Sequence, residues 1–229
     1  MGARPNRSTE LALELIVEQI REAWKAKKVA SLLSLDIVGA FDRVLPERLT
    51  HVLRTRRIPE WMIRWVASFT SERRTSLFFE DRDTAQFHIP IGVPQGSPCS
   101  PVLFLFYLAD LHDACDSPAN NVSVVGFSDD TQLIAFGNSE AQNCQNLKTV
   151  HEKCAAWAYK TGMSFAPQKY ELIHFTKKRR QRPVPATHCL RLQNATITPD
   201  NRVKILGVWL DEKLTWEKHI KITRLKTEN

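Results

Sequence analysis

The chain has 229 residues, 43% of them hydrophobic, enough for one sizeable core or for one domain with an appendage, which excludes global disorder. Its 32 Lys and Arg against 25 Asp and Glu leave a net charge of +7, which fits a polyanionic partner without naming one. No stretch reaches the roughly 18 apolar residues a membrane-spanning helix needs, and residues 1–6 lack the apolar centre of a secretory signal, so the sequence reads as soluble and intracellular, nuclear or cytoplasmic, with no membrane partner.

The five cysteines, Cys99, Cys115, Cys144, Cys154 and Cys189, are odd in number and hold no C-x-x-C pair, so no disulfide framework is expected. Cys144, His151 and Cys154 could form part of a soft metal site on one predicted helix. A fourth ligand is not apparent, and small core cysteines beside a surface histidine are the preferred reading.

In chain order, Leu13, Ile16, Val17, Ile20 and Trp24 recur at helical spacing and predict an amphipathic helix over residues 8–28. The short apolar run 31–37 follows, a buried strand that delivers Asp36 at its end. Pro46 and Pro59 suit first helical positions, and Trp61, Met62, Trp65, Val66 and Phe69 give the second of these two helices an apolar stripe. Residues 75–80 and 85–90 flank the polar turn Asp81-Arg82-Asp83 and predict a hairpin. A loop rich in Gly, Pro and Ser, 92–101, leads into an apolar helix over 102–115. Residues 122–127 and 132–136 are β-rich runs joined by Ser128-Asp129-Asp130-Thr131, an apolar hairpin with acids at its tip. Ser139 and Gln142 form a capping box for a helix that ends at Gly162. The last predicted strands, 171–176 and 203–210, are separated by the basic, proline-bearing stretch 177–187. Its densest part, Lys177-Lys178-Arg179-Arg180-Gln181-Arg182, fits phosphate contact, a nuclear address or a solvated loop. The order is that of an α+β fold, an antiparallel sheet with helices packed on one face.

Adjacent aspartates at a turn are ordinarily turn chemistry, because Asp caps backbone groups and tolerates unusual dihedrals. Here both flanking strands are apolar, so the tip is held on a core sheet, and Asp36 ends another apolar strand. If those strands are neighbours, two or three carboxylates converge at one sheet edge. Carboxylates forced together repel, and a divalent cation held by hard oxygens, Mg²⁺ above all, is the usual relief. A pair of such ions about 3.5–4 Å apart stabilises both the attacking and leaving oxygens of a phosphoryl transfer. The residues alone therefore point to metal-assisted phosphoryl or nucleotidyl transfer and leave polymerase and nuclease open.

The motifs narrow this choice. Leu35-Asp36-Ile37-Val38-Gly39-Ala40-Phe41-Asp42-Arg43-Val44 resembles motif A of reverse transcriptases, Gly92-Val93-Pro94-Gln95-Gly96-Ser97-Pro98-Cys99-Ser100-Pro101 their motif B, and Phe127-Ser128-Asp129-Asp130 their motif C. Ser164-Phe165-Ala166-Pro167-Gln168-Lys169-Tyr170-Glu171 is similar to the lysine-bearing motif D, and Leu206-Gly207-Val208-Trp209-Leu210-Asp211 to the hairpin motif of the non-LTR class. Gly2-Ala3-Arg4-Pro5-Asn6-Arg7-Ser8-Thr9 resembles the segment just upstream of motif A in these elements. The chain thus resembles the reverse transcriptase of a non-LTR, LINE-type retrotransposon, in wording nearest to Tad-like elements of filamentous fungi.

The resemblance implies a right-hand polymerase palm with partial fingers and no thumb. Residues 1–30 would lead from the fingers, 31–176 would form the palm core, and 177–229 a basic loop and hairpin toward the thumb. It implies RNA-directed DNA polymerisation with Mg²⁺ or Mn²⁺ on an RNA template, a DNA primer and deoxynucleoside triphosphates, with no obligate protein partner. By motif, Asp36 and Asp129 would bind the metals, with the Ile37 carbonyl a further ligand and Asp130 in a lesser role. Phe41 would gate against a ribose 2′-hydroxyl, Gln95 and Gly96 would line the nucleotide and template pocket, and Lys169 would donate a proton to departing pyrophosphate. Each has a bland rival: core packing for Phe41, turn geometry for Gly96, a surface lysine for Lys169. Ser128 stands where the family more often has Ala, Val or Met, and a small residue there should be tolerated.

The basic fingers residues, the thumb and the endonuclease of the family have no counterpart in the sequence. The chain therefore reads as a fragment or decayed copy whose reading frame opens at an internal Met, expected by itself to bind nucleic acid weakly and to polymerise poorly or not at all. The alternative is a catalytically inert nucleic-acid-binding remnant. A two-metal nuclease is disfavoured, because the Gln95-Gly96 loop and the Phe41 gate have no evident role there.

Overall fold

Ser8 opens the first helix by accepting the amide of Leu11, and helix α1 (Thr9–Lys25) ends on a basic residue that complements its dipole. This computed structural model describes residues 6–79, 82–177 and 183–227. Residues 2–5 of the segment resembling the region upstream of motif A, and residues 178–182 of the basic run, lie outside them. The predicted helix is shorter than 8–28 because Lys27, at a left-handed φ of 58°, turns the chain into strand β1 (Val29–Leu35).

β1 begins and ends two residues earlier than the sequence pattern predicts. Its ladder to a later strand runs from Val29↔Gly137 to Leu35↔Thr131 and stops, which leaves Asp36 one residue beyond the last pair. Pro46 stands at the start of α2 (Pro46–Thr55) as expected, whereas Pro59 is the N-cap of α3 (Glu60–Thr70) and not its first residue. The apolar stripe of α3 is also corrected: Ile63, Val66 and Thr70 face the core, while Trp61, Met62 and Trp65 are exposed. Trp65 stacks on Phe69 with ring centroids 5.3 Å apart, covering part of that face locally.

The predicted hairpin breaks into two short rungs, β2 (Arg74–Thr75) with β5 (Phe87–His88) and β3 (Phe78–Phe79) with β4 (Arg82–Asp83). Arg82 and Asp83, expected in the turn, are therefore paired, and Asp81 lies outside the described residues. α4 (Ser100–Cys115) starts two residues early, inside the loop expected to reach Pro101. β6 (Val122–Phe127) has the predicted bounds, and β7 (Asp130–Gly137) starts earlier than expected, so the turn holds only Ser128 and Asp129. Ser139 caps α5 (Glu140–Thr161) by accepting the amide of Gln142, and Gly162 ends it at φ 70°.

β8 (Glu171–Phe175) is followed by a small ladder of β9 (Leu190–Arg191) and β10 (Thr196–Ile197), then β11 (Pro199–Asp200). The strand expected over 203–210 is a hairpin, β12 (Arg202–Ile205) and β13 (Val208–Asp211). Its turn residues Leu206 and Gly207 both have positive φ, 48° and 87°, the requirement of a type I′ turn. α6 (Glu217–Thr227) ends the described chain.

The main sheet has five strands in the order β11-β8-β1-β7-β6, antiparallel throughout except for the β11–β8 pair. Alternation sorts its residues onto two cores. Leu33, Leu35, Leu133, Ala135 and Leu172 join α2–α5 on one face, and Ala30, Leu32, Ile134, Ile173 and Phe175 join α1 and the β12–β13 hairpin on the other. Helices α2–α5 thus share the expected face, and α1 closes the second. A buried polar chain ties the layers: Asn143 Nδ2 donates to Val29 O (2.9 Å) and Ser31 Oγ (2.8 Å), and Ser31 Oγ meets His174 Nδ1 at 2.7 Å.

The cysteines are unpaired by disulfides, with Cys115 and Cys154 sulfurs 3.0 Å apart in the core. His151 is half-buried and not the surface residue expected; its ring nitrogen meets the Tyr170 hydroxyl at 3.0 Å, and burial holds its pKa below the ordinary histidine value. No helix among the described residues is long and apolar enough to cross a membrane.

Candidate active site

Three segments of the chain meet at one end of the sheet. The first continues β1: Asp36 follows Leu35 directly, and its backbone is clamped from the side by residues 164–166, with Ala166 N donating to Asp36 O (3.0 Å) and Val38 N to Ser164 O (2.9 Å). The buried side chain of Ile37 pins the next position in the core. The second is the β6–β7 turn. Asp130 pairs with Phe127, and Thr131 stands opposite both Gly126 and Leu35, so Asp129 and Asp130 project at the strand end where Asp36 leaves β1. Ser128 holds a φ of 57° at the first turn position, as a type II′ turn requires, a conformation favourable to glycine and mildly strained for serine.

The electrostatics register this convergence. The Asp130 carboxyl is pushed above the ordinary aspartate value, first by desolvation against its surroundings and then by the negative charges of Asp129 and Asp36. The residue nevertheless keeps an exposed edge, so the group is accessible from solvent. Asp36 Oδ2 is shut off from solvent and has no aligned hydrogen-bond donor. The charge facing it is Lys169 Nζ at 3.3 Å, carried by the third segment, a 3₁₀ turn (Pro167–Lys169) that continues the strap over Asp36.

These oxygens suit a hard divalent cation in kind: carboxylates, one of them buried without a donor, and a pair whose charges raise a neighbour's pKa. Among the described residues, no three His, Cys, Asp or Glu side chains form a ready-made metal cluster. The donors would have to draw in around an ion.

Motif A and B residues interlock beside the acids. Gly92 N donates to Val44 O (2.7 Å) and Val93 N to Phe41 O (2.9 Å). Gly92 has a φ of +88°, and a Cβ there would lie 2.8 Å from Asp42 O, so the two backbones approach as only glycine allows. Phe41 is half-buried with its ring 4.9 Å from that of Phe104, so core packing accounts for one face and the rest stays open. Gln95 is exposed, and its Nε2 donates to Asp42 Oδ1 at 2.9 Å. Gly96 has a φ of +87°, and a Cβ there would meet nothing within 4 Å, so this residue serves the turn and leaves open space. The motifs gave no role to Asp42 or to Arg43, whose Nη1 donates to Ser164 Oγ at 2.7 Å. Their place directly after Phe41 in motif A was the only signal. A cavity of about 670 Å³ lined by Leu45, Arg48, His51, His88 and Ile91 includes none of Asp36, Asp129 and Asp130.

A mainly antiparallel sheet that carries one acid beyond a central strand and two on the adjoining hairpin, with helices behind, is a polymerase-type palm. The solved structures agree: telomerase of Candida tropicalis, truncated from its C-terminal domain, shares the fold with a TM-score of 0.62 over 93% of this chain and 40% of that one, at 14% identity. Residues 1–210 match the family described as reverse transcriptase (RNA-dependent DNA polymerase), and the chain belongs to that family. It is 27% identical over 219 residues to the probable RNA-directed DNA polymerase from transposon X-element of Drosophila melanogaster and 27% identical to that of mobile element jockey of Drosophila funebris. Both relatives are described as RNA-directed DNA polymerases of transposable elements, the first as a probable one. The chain spans 24% of the length of each.

Proposed function

We propose that this chain is the palm-centred part of a retrotransposon RNA-directed DNA polymerase, adding deoxynucleotides to a DNA primer on an RNA template inside the cell. The observation that carries the reading is the arrival of Asp36, Asp129 and Asp130 at one end of the sheet, with the motif A and B loops locked beside them. On this reading residues 31–176 are the palm core, 1–30 lead in from the fingers, and 177–229 lead toward the thumb. The kinship with Tad-like fungal elements, which rests on the wording of the motifs along the chain, belongs to the same proposal.

Asp36 and Asp129, with the Ile37 carbonyl, would hold Mg²⁺ or Mn²⁺, and Asp130 would tune the site. Bound there, the ions supply charge stabilisation to the attacking and leaving oxygens of nucleotidyl transfer. The chain's own residues position the reactants. The open face of Phe41 meets the sugar of the incoming nucleotide, where a 2′-hydroxyl would clash with the ring. Gln95, oriented by Asp42, and the open turn at Gly96 admit the nucleotide and template. Lys169 stands within reach of the phosphate side as a proton donor to the leaving pyrophosphate.

The test places this chain in the matching segment of the X-element relative and measures primer extension on RNA with each metal. Extension is expected in the parent, with a loss of about 100-fold or more in Asp36→Asn or Asp129→Asn, since an ion clamp on the reacting phosphate is removed. Phe41→Ala should raise ribonucleotide use relative to deoxynucleotide use; an unchanged ratio would leave Phe41 to core packing alone. A folded parent that binds primer–template in a salt-sensitive way and adds nothing would establish the inert nucleic-acid-binding remnant instead.

A further inference from the structure

Lys169 has a feature that a wandering surface lysine lacks: its backbone is registered to the backbone of Asp36. Ala166 N donates to Asp36 O at 3.0 Å, Lys169 N donates to Ala166 O at 2.9 Å, and Arg43 Nη1 holds Ser164 Oγ at 2.7 Å. On its other side Tyr170 is buried, its hydroxyl engaged with His151 at 3.0 Å. The Cα of Lys169 is thereby fixed from both directions, while its side chain remains 65% exposed and free to swing. The ammonium ends 3.3 Å from Asp36 Oδ2, the carboxylate oxygen that has neither solvent nor an aligned donor.

We propose that Lys169 is a tethered placeholder for the divalent cation at Asp36, an ammonium that neutralises this carboxylate in the resting chain and is displaced when the ion binds. The inference rests on the metal site of the proposed function. A monovalent, mostly solvated ammonium is held weakly, so a divalent ion of higher charge density displaces it, and the fixed Cα returns it when the ion leaves. Metal arrival and release of the lysine toward the phosphates then become one event.

The test is Mn²⁺ binding by the 229-residue chain, read from the spectroscopic signal of free aquo-Mn²⁺, in wild type, Lys169→Gln, Lys169→Arg and Asp129→Asn. Lys169→Gln should bind about two- to fivefold more tightly, the scale on which an exposed ion pair competes. Lys169→Arg, which keeps the charge, should stay near wild type, and Asp129→Asn should bind poorly. Melting in the absence of Mn²⁺ separates competition from a structural role, which would lower both the melting temperature and the affinity of Lys169→Gln. Equal or weaker Mn²⁺ binding by Lys169→Gln, beside wild-type binding that Asp129→Asn abolishes, overturns the placeholder and leaves the metal site standing. Binding by none of the four proteins overturns both.

Discussion

In the sheet, Leu32, Leu33 and Ile134 are fully buried, whereas on the outcrop formed by α3 and strands β2–β5 the aromatic residues Trp61, Phe78 and Phe79 keep 64%, 71% and 70% of their surface exposed. Both regions are rich in apolar and β-favouring residues, so local composition does not separate them. Pairing does. β1 is hydrogen-bonded along seven residues to β7 and along five to β8, and its two faces meet separate helical layers. The strands of the outcrop pair over two residues each, and Phe78, Phe79 and Phe87 on them are exposed. The difference teaches where this molecule can hold side chains to the tolerance chemistry needs: the acids grow from the doubly paired strands, not from the outcrop.

Variants can sharpen that contrast or break it. Leu33→Ala removes a fully buried side chain between β1 and the helical face and should cost about 2–5 kcal/mol, read from urea unfolding. A loss under about 1 kcal/mol would mean that the sheet is no more tightly packed than the outcrop. Asn143→Ala should cost about 1–3 kcal/mol, because Val29 O and Ser31 Oγ lose a buried donor.

Asp130→Asn should act through pH. The native carboxyl binds its proton more tightly than the unfolded one, so wild-type stability falls as pH rises from near the unfolded aspartate value, about 3.9, through the raised native value. The asparagine variant should lack that fall and gain stability over wild type at neutral pH, with the gain vanishing in acid. Added Mg²⁺ should shrink it from the other side, by satisfying the wild-type carboxylates. Parallel pH profiles for the two proteins would show that the Asp130 carboxyl is neither desolvated nor crowded by Asp129 and Asp36.

The smallest effect belongs to the outcrop. Phe78→Ser and Phe79→Ser should change stability by no more than about 0.5 kcal/mol, as exposed side chains away from special features do. A larger loss would show that this surface is packed in solution.

The sequence by itself determined the local elements whose signals lie within a few residues. The bounds of β6, the Ser139 cap and Gly162 stop of α5, and the order of motifs A to D were legible because turn chemistry, capping and alternation act over short range. So was the convergence of the acids, given only that their strands are neighbours. The tertiary structure decided which strands those are, placing β1 between β7 and β8, and it moved strand ends by two residues, since a ladder stops where its partner stops and not where apolar residues do. It split 203–210 into a hairpin, turned Trp61 and Trp65 of α3 outward, and sent α1 to the opposite face of the sheet. Each of these depends on what lies across from a residue, and periodicity along one segment carries no information about its neighbour in space. The contact between Lys169 and Asp36, 133 positions apart, is of the same kind: the strap of residues 164–166 creates it, and the sequence could show only that both residues were there.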